Sequence, residues 1–189
     1  MNTLPALPPL RRRLGNTFFS LALLSYGAVL GGSLYQLIAE VPNWATPDVP
    51  RALIAYQNFF RVSHAGYFFQ TLMPLALLSL GAATALLWPQ AGPLRRGLLL
   101  LAGILLNELF TVAYFMPRNV VLFLTPLDDT PDVTINTFAR EWQLANYLRL
   151  ALSGLVMLSF LKAHRLLDAP PQPAPDAAPL PELRPTLTY

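Results

Sequence analysis

The stretch Gly97-Leu-Leu-Leu-Leu-Ala-Gly-Ile-Leu-Leu-Asn-Glu-Leu-Phe-Thr-Val-Ala-Tyr-Phe-Met-Pro117 decides how this chain folds. A helix needs about 20 mostly apolar residues to cross a bilayer, and this run supplies them, interrupted only by Asn107 and Glu108. It is apolar around most of its circumference, which marks a helix immersed in lipid rather than one half wetted at a surface. Three more stretches read the same way: about Asn16 to Ala39, free of charge; about His64 to Trp88, closed by Pro89; and about Arg140 to Ala163, with Asn146 and Arg149 inside it. The fold class expected is therefore all-α, a four-helix transmembrane bundle. Composition agrees. Of 189 residues 54% are hydrophobic and 12% charged, roughly half the charged share of an average soluble domain. That deficit excludes a disordered protein and argues against a soluble globular domain.

Cysteine is absent, which rules out disulfides, thiolate metal sites, iron–sulfur clusters and cysteine nucleophiles. The net charge of +3 is small and dispersed and gives no reason to expect a nucleic-acid partner. Its placement says more. Arg11, Arg12, Arg13, Arg95, Arg96, Lys162 and Arg165 flank the spans on one side; Arg51, Arg61, Arg118 and Arg140 flank them on the other, together with Glu40, Asp48, Asp128, Asp129, Asp132 and Glu141. The positive-inside rule then places both termini in the cytoplasm. Arg11-Arg12-Arg13 before an apolar run has the look of a secretory signal. The run is longer than such signals use, however, and no small-x-small cleavage pattern closes it, so a retained helix is expected.

The chain divides into a basic N-terminus (1–15), a transmembrane domain (16–165) and a tail (166–189) whose proline and alanine content predicts a disordered tether. Residues 89–96 form a tight turn, making the second and third spans antiparallel neighbours. The first outer loop, from Glu40 to Ser63, carries Pro42, Pro47 and Pro50 and then Arg51-Ala-Leu-Ile-Ala-Tyr-Gln-Asn-Phe-Phe-Arg61, an amphipathic segment expected to lie on the outer leaflet or over the bundle mouth. In the first span Gly27 and Gly31 make a small-xxx-small pair, the face expected for close helix approach and for any homo-oligomer. Pro74 is expected to kink the second span or open its backbone.

Functional information concentrates in the residues that do not belong in lipid. An arginine at the centre of a span costs about 2.5–3.5 kcal/mol on insertion, so Arg149 calls for a reason to be there. Glu108 in the third span and Arg149 in the fourth reach similar depth from the outer side, and the antiparallel course of the two spans makes their pairing available. Such a pair either sets helix register or lines a polar pocket. Trp142, Asn146 and Arg149 are spaced i, i+4, i+7 and share one helix face. Asn107, Thr111, Tyr114 and Arg118 repeat along the third span, and Glu108, Thr111, Phe115 and Asn119 make an overlapping strip. Gln36 and Glu40 continue the first span outward, with Tyr35 beside them. His64 opens the second span, with Tyr67 and Thr71 on its face. The other histidine, His164, lies a bilayer away, so a bis-histidine haem within one protomer is excluded, and no Glu-x-x-His metal pair occurs. A mixed Glu40/His64 metal site has no ligand spacing to support it, so no metal is expected.

At Pro117-Arg118-Asn119 and at Trp142-x-x-x-Asn146-x-x-Arg149 the chain resembles the anthrone-oxygenase-like family of four-helix membrane proteins. That family has a glycine-rich first helix, a Pro-x-Asn at the outer end of helix three and a Trp/Asn/Arg face on helix four, over about residues 16–163 here. The resemblance implies oxidation of anthrone-type polyketides by molecular oxygen as co-substrate, with no assigned cofactor. The long first loop, Glu108 and the proline-rich tail depart from the pattern.

The leading expectation is an oxygenase-like integral membrane enzyme with a polar pocket in its outer half, acting on a planar apolar, polyketide- or quinone-like molecule. Arg149, Glu108 and His64 would be the catalytic groups, and Asn119, Trp142, Asn146, Tyr114, Glu40 and Tyr35 would bind substrate. Two alternatives stand beside it: a non-catalytic binding or proton-coupled transport component, and a structural membrane subunit.

Overall fold

The computed structural model describes residues 7–59, 62–87 and 91–168. Residues 1–6, Arg61, the closing Pro89 and the tail beyond Asp168 lie outside the described residues. Five helices make up the rest. α1 (Pro9–Trp44), α3 (Ala65–Leu87), α4 (Gly92–Leu124) and α5 (Asp132–Asp168) are long and apolar enough to cross a membrane, and α2 (Val49–Phe59) is short. No strand occurs among the described residues. The fold is the expected four-helix bundle.

Each long helix packs on two neighbours in the cycle α1–α3–α4–α5–α1, with consecutive helices antiparallel. The α1–α3 seam is the most extensive, and small residues create it. A Cβ on Gly15 would come within 2.8 Å of Leu87, and one on Gly32 within 2.6 Å of Phe68. Gly97 of α4 lies directly against Thr84 of α3 in the same manner. Without a hydrophobic drive between helices in lipid, such close backbone approach is what holds them together. Of the glycines expected to form an oligomer face, Gly27 packs on Met157 of α5, whereas Gly31 faces open space.

Three elements extend further than the sequence suggests. α1 continues through Pro42 to Trp44, α4 continues past Pro117 to Leu124, and α5 begins at Asp132, eight residues before Arg140. Proline has no N–H, and its ring clashes with the carbonyl four residues back. Here that carbonyl lies in a wide π-helical turn in both cases, Gln36–Glu40 before Pro42 and Thr111–Phe115 before Pro117, so the helix runs on instead of breaking. The early start of α5 follows from Asp132, whose charge suits a helix N-terminus.

The π turn in α4 also resets which side chains face α5. At about 100° per residue, Phe115 and Asn119 would sit about 80° and 120° away from Asn107 on a plain α-helix. The extra residue of the wide turn removes about 100°, bringing all three within about 20° of one line. All three do meet α5: Asn107 bonds Ser153, Phe115 lies edge-on to Trp142, and Asn119 bonds Trp142.

Two cores result. The one nearer the basic ends of the helices, termed inner for that position alone, joins Phe19, Tyr26, Leu80, Ile104 and Phe160. The outer one joins Trp44, Leu53, Phe115, Leu122 and Trp142. α2 belongs to the outer core: Leu53 is fully buried there, Tyr56 donates to Glu40 at 3.1 Å, and Gln57 donates to the carbonyls of Leu122 and Thr125 at 3.0 Å each. The first carbonyl lies in the last turn of α4 and the second just past its end, and the Gln57 amide satisfies both.

Candidate functional site

Depth can be counted from the basic end. Gly97 to Glu108 is eleven residues, about 16 Å; Lys162 to Arg149 is thirteen, about 20 Å; Leu14 to Tyr26 is twelve, about 18 Å. Half of a hydrocarbon core is about 15 Å, so Tyr26, Glu108 and Arg149 come from three helices to nearly one level at the middle of the membrane. The boundary opposite the basic end then falls at Arg118 and Glu141, which form an ion pair.

The mid-membrane cluster has two halves. In one, Arg149 donates through Nη2 to Asn146 Oδ1 at 2.7 Å, with its guanidinium 4.5 Å from the Phe115 ring centre and 6.0 Å from that of Trp142. The aromatic faces supply negative quadrupole to a cation withdrawn from water. In the other, Asn107 Nδ2 donates to Ser153 Oγ at 3.2 Å, and the fully buried Tyr26 hydroxyl neighbours Ser153 without meeting hydrogen-bond geometry. Glu108 is common to both, within electrostatic range of Arg149 and of Tyr26. No hydrogen bond or ion pair joins Glu108 to Arg149 directly; among the described residues the ion pair within 4 Å is Arg118–Glu141.

Among the described residues four buried side-chain polar atoms have no hydrogen-bond partner: Tyr26 Oη, Asn107 Oδ1, Asn146 Nδ2 and Arg149 Nε. Each such orphan costs about 1–3 kcal/mol, and more for a charged group. Native interiors carry few, yet four gather here on residues of α1, α4 and α5 at one depth. Three can donate and two can accept, the tyrosine hydroxyl doing either.

The ladder from the outer surface is present as far as it goes: Asn119, Trp142, Asn146 and Arg149 are continuous, joined by the 2.7 Å bond from Trp142 Nε1 to Asn119 Oδ1. The outer half, where a hollow is expected, holds a packed apolar cluster among the described residues. α2 folds onto the bundle and, with Trp44 edge-on to Trp142 at 5.4 Å and to Phe123 at 5.6 Å, fills that space with side chains. The polar groups left without partners sit one layer deeper.

Other expected members are placed elsewhere. Tyr114 lies under the Arg118 guanidinium at 3.7 Å, in the outer layer. Glu40 accepts from Tyr56. Burial first, then the charge of Glu40 and the bond to it, and last Tyr35, push the Tyr56 phenol far above its ordinary value. Tyr35 is 62% exposed, at the level where aromatic belts meet headgroups. His64 accepts the Gly66 N–H at 3.1 Å and stacks on Tyr67 at 4.3 Å, which makes it the cap of α3. None of these contacts reaches Arg149. No group of three or more His, Cys, Asp or Glu residues able to hold a metal occurs among the described residues.

Sequence reading missed Tyr26 and Ser153. Ser153 extends the Asn146–Arg149 spacing by one more turn and was there to be counted. Tyr26 is a tyrosine at mid-span, away from both interfaces where tyrosines usually concentrate. Compared with protein-family models, curated proteins and solved structures, the chain matches none.

Proposed function

We propose that this chain binds a planar apolar molecule carrying a carbonyl oxygen at the mid-membrane cluster, and oxidises it with molecular oxygen. The observation that carries the reading is the gathering of partnerless buried atoms on Tyr26, Asn107, Asn146 and Arg149. A ligand carbonyl accepts from Arg149 Nε and Asn146 Nδ2, and a ligand hydroxyl donates to Asn107 Oδ1. The rings of Phe115 and Trp142 beside Arg149 suit a flat aromatic body. With the outer side filled, a ligand reaches the cluster from the lipid between helices or by displacement of the Phe115–Trp142 layer.

The chemistry follows from charge placement. Glu108 takes a proton from an acidic C–H of the ligand, and the C–H electron pair moves onto the carbonyl, forming an enolate held by Arg149 and Asn146. Donors already oriented in a dry site stabilise such an oxyanion far better than water does. Molecular oxygen forms a bond to the carbanionic carbon, and the resulting peroxide anion recovers the proton from Glu108. Loss of water from that hydroperoxide leaves a new ketone, so a methylene and one O₂ become a carbonyl and one water.

The test uses the full chain in lipid nanodiscs with anthrone as probe, following oxygen uptake and quinone absorbance. Arg149→Met should lose turnover by about 100-fold or more while remaining folded. Unchanged turnover in a folded Arg149→Met protein refutes the oxyanion role. Anthrone binding without oxygen uptake would move the assignment to a non-catalytic carrier, and absence of both would end it.

A further inference from the structure

The antiparallel packing gathers the N-termini of α1 and α4 and the C-termini of α3 and α5 at one end of the bundle. Arg11, Arg12, Arg13, Arg95, Arg96, Lys162 and Arg165 sit there. Arg11 is used within the fold, donating through Nε to the Leu86 carbonyl at 2.8 Å and through Nη2 to that of Ala85 at 3.2 Å, thereby capping α3. The other six side chains make no ion pair or side-chain hydrogen bond among the described residues, and all but the half-buried Arg96 are exposed. Arg96 lines a small crevice to which all four long helices contribute, with Phe19, Thr84, Leu87, Gly97 and Ala163 among its walls.

Helix electrostatics make the α1 and α4 part of this arrangement costly on its own. A helix N-terminus carries positive partial charge and favours acids, yet α1 and α4 have no acid in their first turns and carry Arg11–Arg13 and Arg95–Arg96 instead. At the α1 and α4 starts, cations and positive helix ends therefore add, whereas Arg11 and Arg165 meet the negative C-terminal ends of α3 and α5 at the same surface. By the depth count, that surface lies where headgroups meet hydrocarbon, about 16–20 Å from the mid-membrane cluster. The opposite end contrasts: its Arg118 is neutralised by Glu141.

We propose that this basic end binds anionic phospholipid headgroups, whose phosphodiester oxygens bridge Arg12 and Arg13 of α1, Arg95 and Arg96 of α4, and Lys162 and Arg165 of α5. Phosphate oxygens match arginine forks and helix N-terminal N–H groups together, which a zwitterionic headgroup does with its own cation competing.

The experiment is native mass spectrometry of the full chain released from mixed micelles of phosphatidylglycerol and phosphatidylcholine, counting retained lipids. The expected result is retention favouring phosphatidylglycerol by about tenfold or more, falling to near parity in Arg95→Gln/Arg96→Gln/Lys162→Gln and unchanged in Asp128→Asn/Asp129→Asn at the other end. Arg11 is left intact because it caps α3. Should the triple variant fail to fold, salt on the wild type decides: raising ionic strength from about 0.05 to about 0.5 M should collapse the preference. Equal retention of both lipids, or a preference indifferent to salt, overturns the proposal. So does an equal thermal stabilisation by glycerol phosphate alone, which would assign the surface to free phosphate.

Discussion

Replacing Arg149 by methionine separates a guanidinium kept for binding from one kept to hold the bundle together. Arg149 contributes one charge-assisted bond to Asn146, about 1.5–3 kcal/mol, and a desolvated cation–π contact with Phe115, about 2 kcal/mol. Against that stands an insertion cost of about 2.5–3.5 kcal/mol for arginine at mid-span. The orphan penalties cancel, because the substitution removes the unpartnered Nε and leaves Asn146 Oδ1 unpartnered in its place. Methionine fills much of the volume and packs on the same rings, recovering about 1 kcal/mol. The sum lies between a gain of about 1 and a loss of about 1.5 kcal/mol in bilayer stability, whereas breaking a structural buried pair costs about 3–5 kcal/mol. Unfolding in mixed micelles, read by tryptophan fluorescence from Trp44 and Trp142, measures the difference. Destabilisation by about 3 kcal/mol or more would show that Arg149 holds α4 to α5, and the reasoning that reserves it for a ligand would fail.

Trp142→Phe removes the 2.7 Å bond to Asn119 while keeping an aromatic ring, and should cost about 1–2 kcal/mol in the same unfolding assay; a neutral result would mean water already replaces that bond. Gly97→Ala drives a methyl into Thr84 and should destabilise by about 1–3 kcal/mol, and Thr84→Ala in the same chain should restore most of it, a rescue that a simple loss of backbone freedom would not show. For Tyr56 the folded state holds the phenol proton more tightly than the unfolded chain, whose phenol titrates near 10.0. Folding stability is therefore fully present below that pH and falls as pH rises above it, because the unfolded state sheds the proton first. Tyr56→Phe should flatten the alkaline fall in thermal midpoint, and an unchanged fall would place its origin elsewhere.

Legibility in the sequence varied with the range of the interaction. Four spans were readable because solvent in a membrane is uniform, so apolar length alone selects a helix. The Trp142–Asn146–Arg149 face was readable because α5 keeps one periodicity from end to end. α4 was not, since its π turn moves Phe115 and Asn119 onto the line of Asn107, and that turn follows from how Pro117 is accommodated. His64 is expected among the catalytic groups from sequence; its Nδ1 accepts from the backbone N–H of Gly66, a local contact that residue type does not announce.

By itself the sequence determined the all-helical class, the number of crossings, the segregation of cations to one end and the presence of Glu108 and Arg149 within spans, since each depends on composition counted along one segment. Tertiary structure alone decided that α2 fills the outer half, that Tyr26 and Ser153 join the polar layer, and that Glu108 and Arg149 approach without bonding. Those outcomes depend on which helix faces meet across the bundle and on whether a neighbour fills the space between them, quantities that no single segment contains.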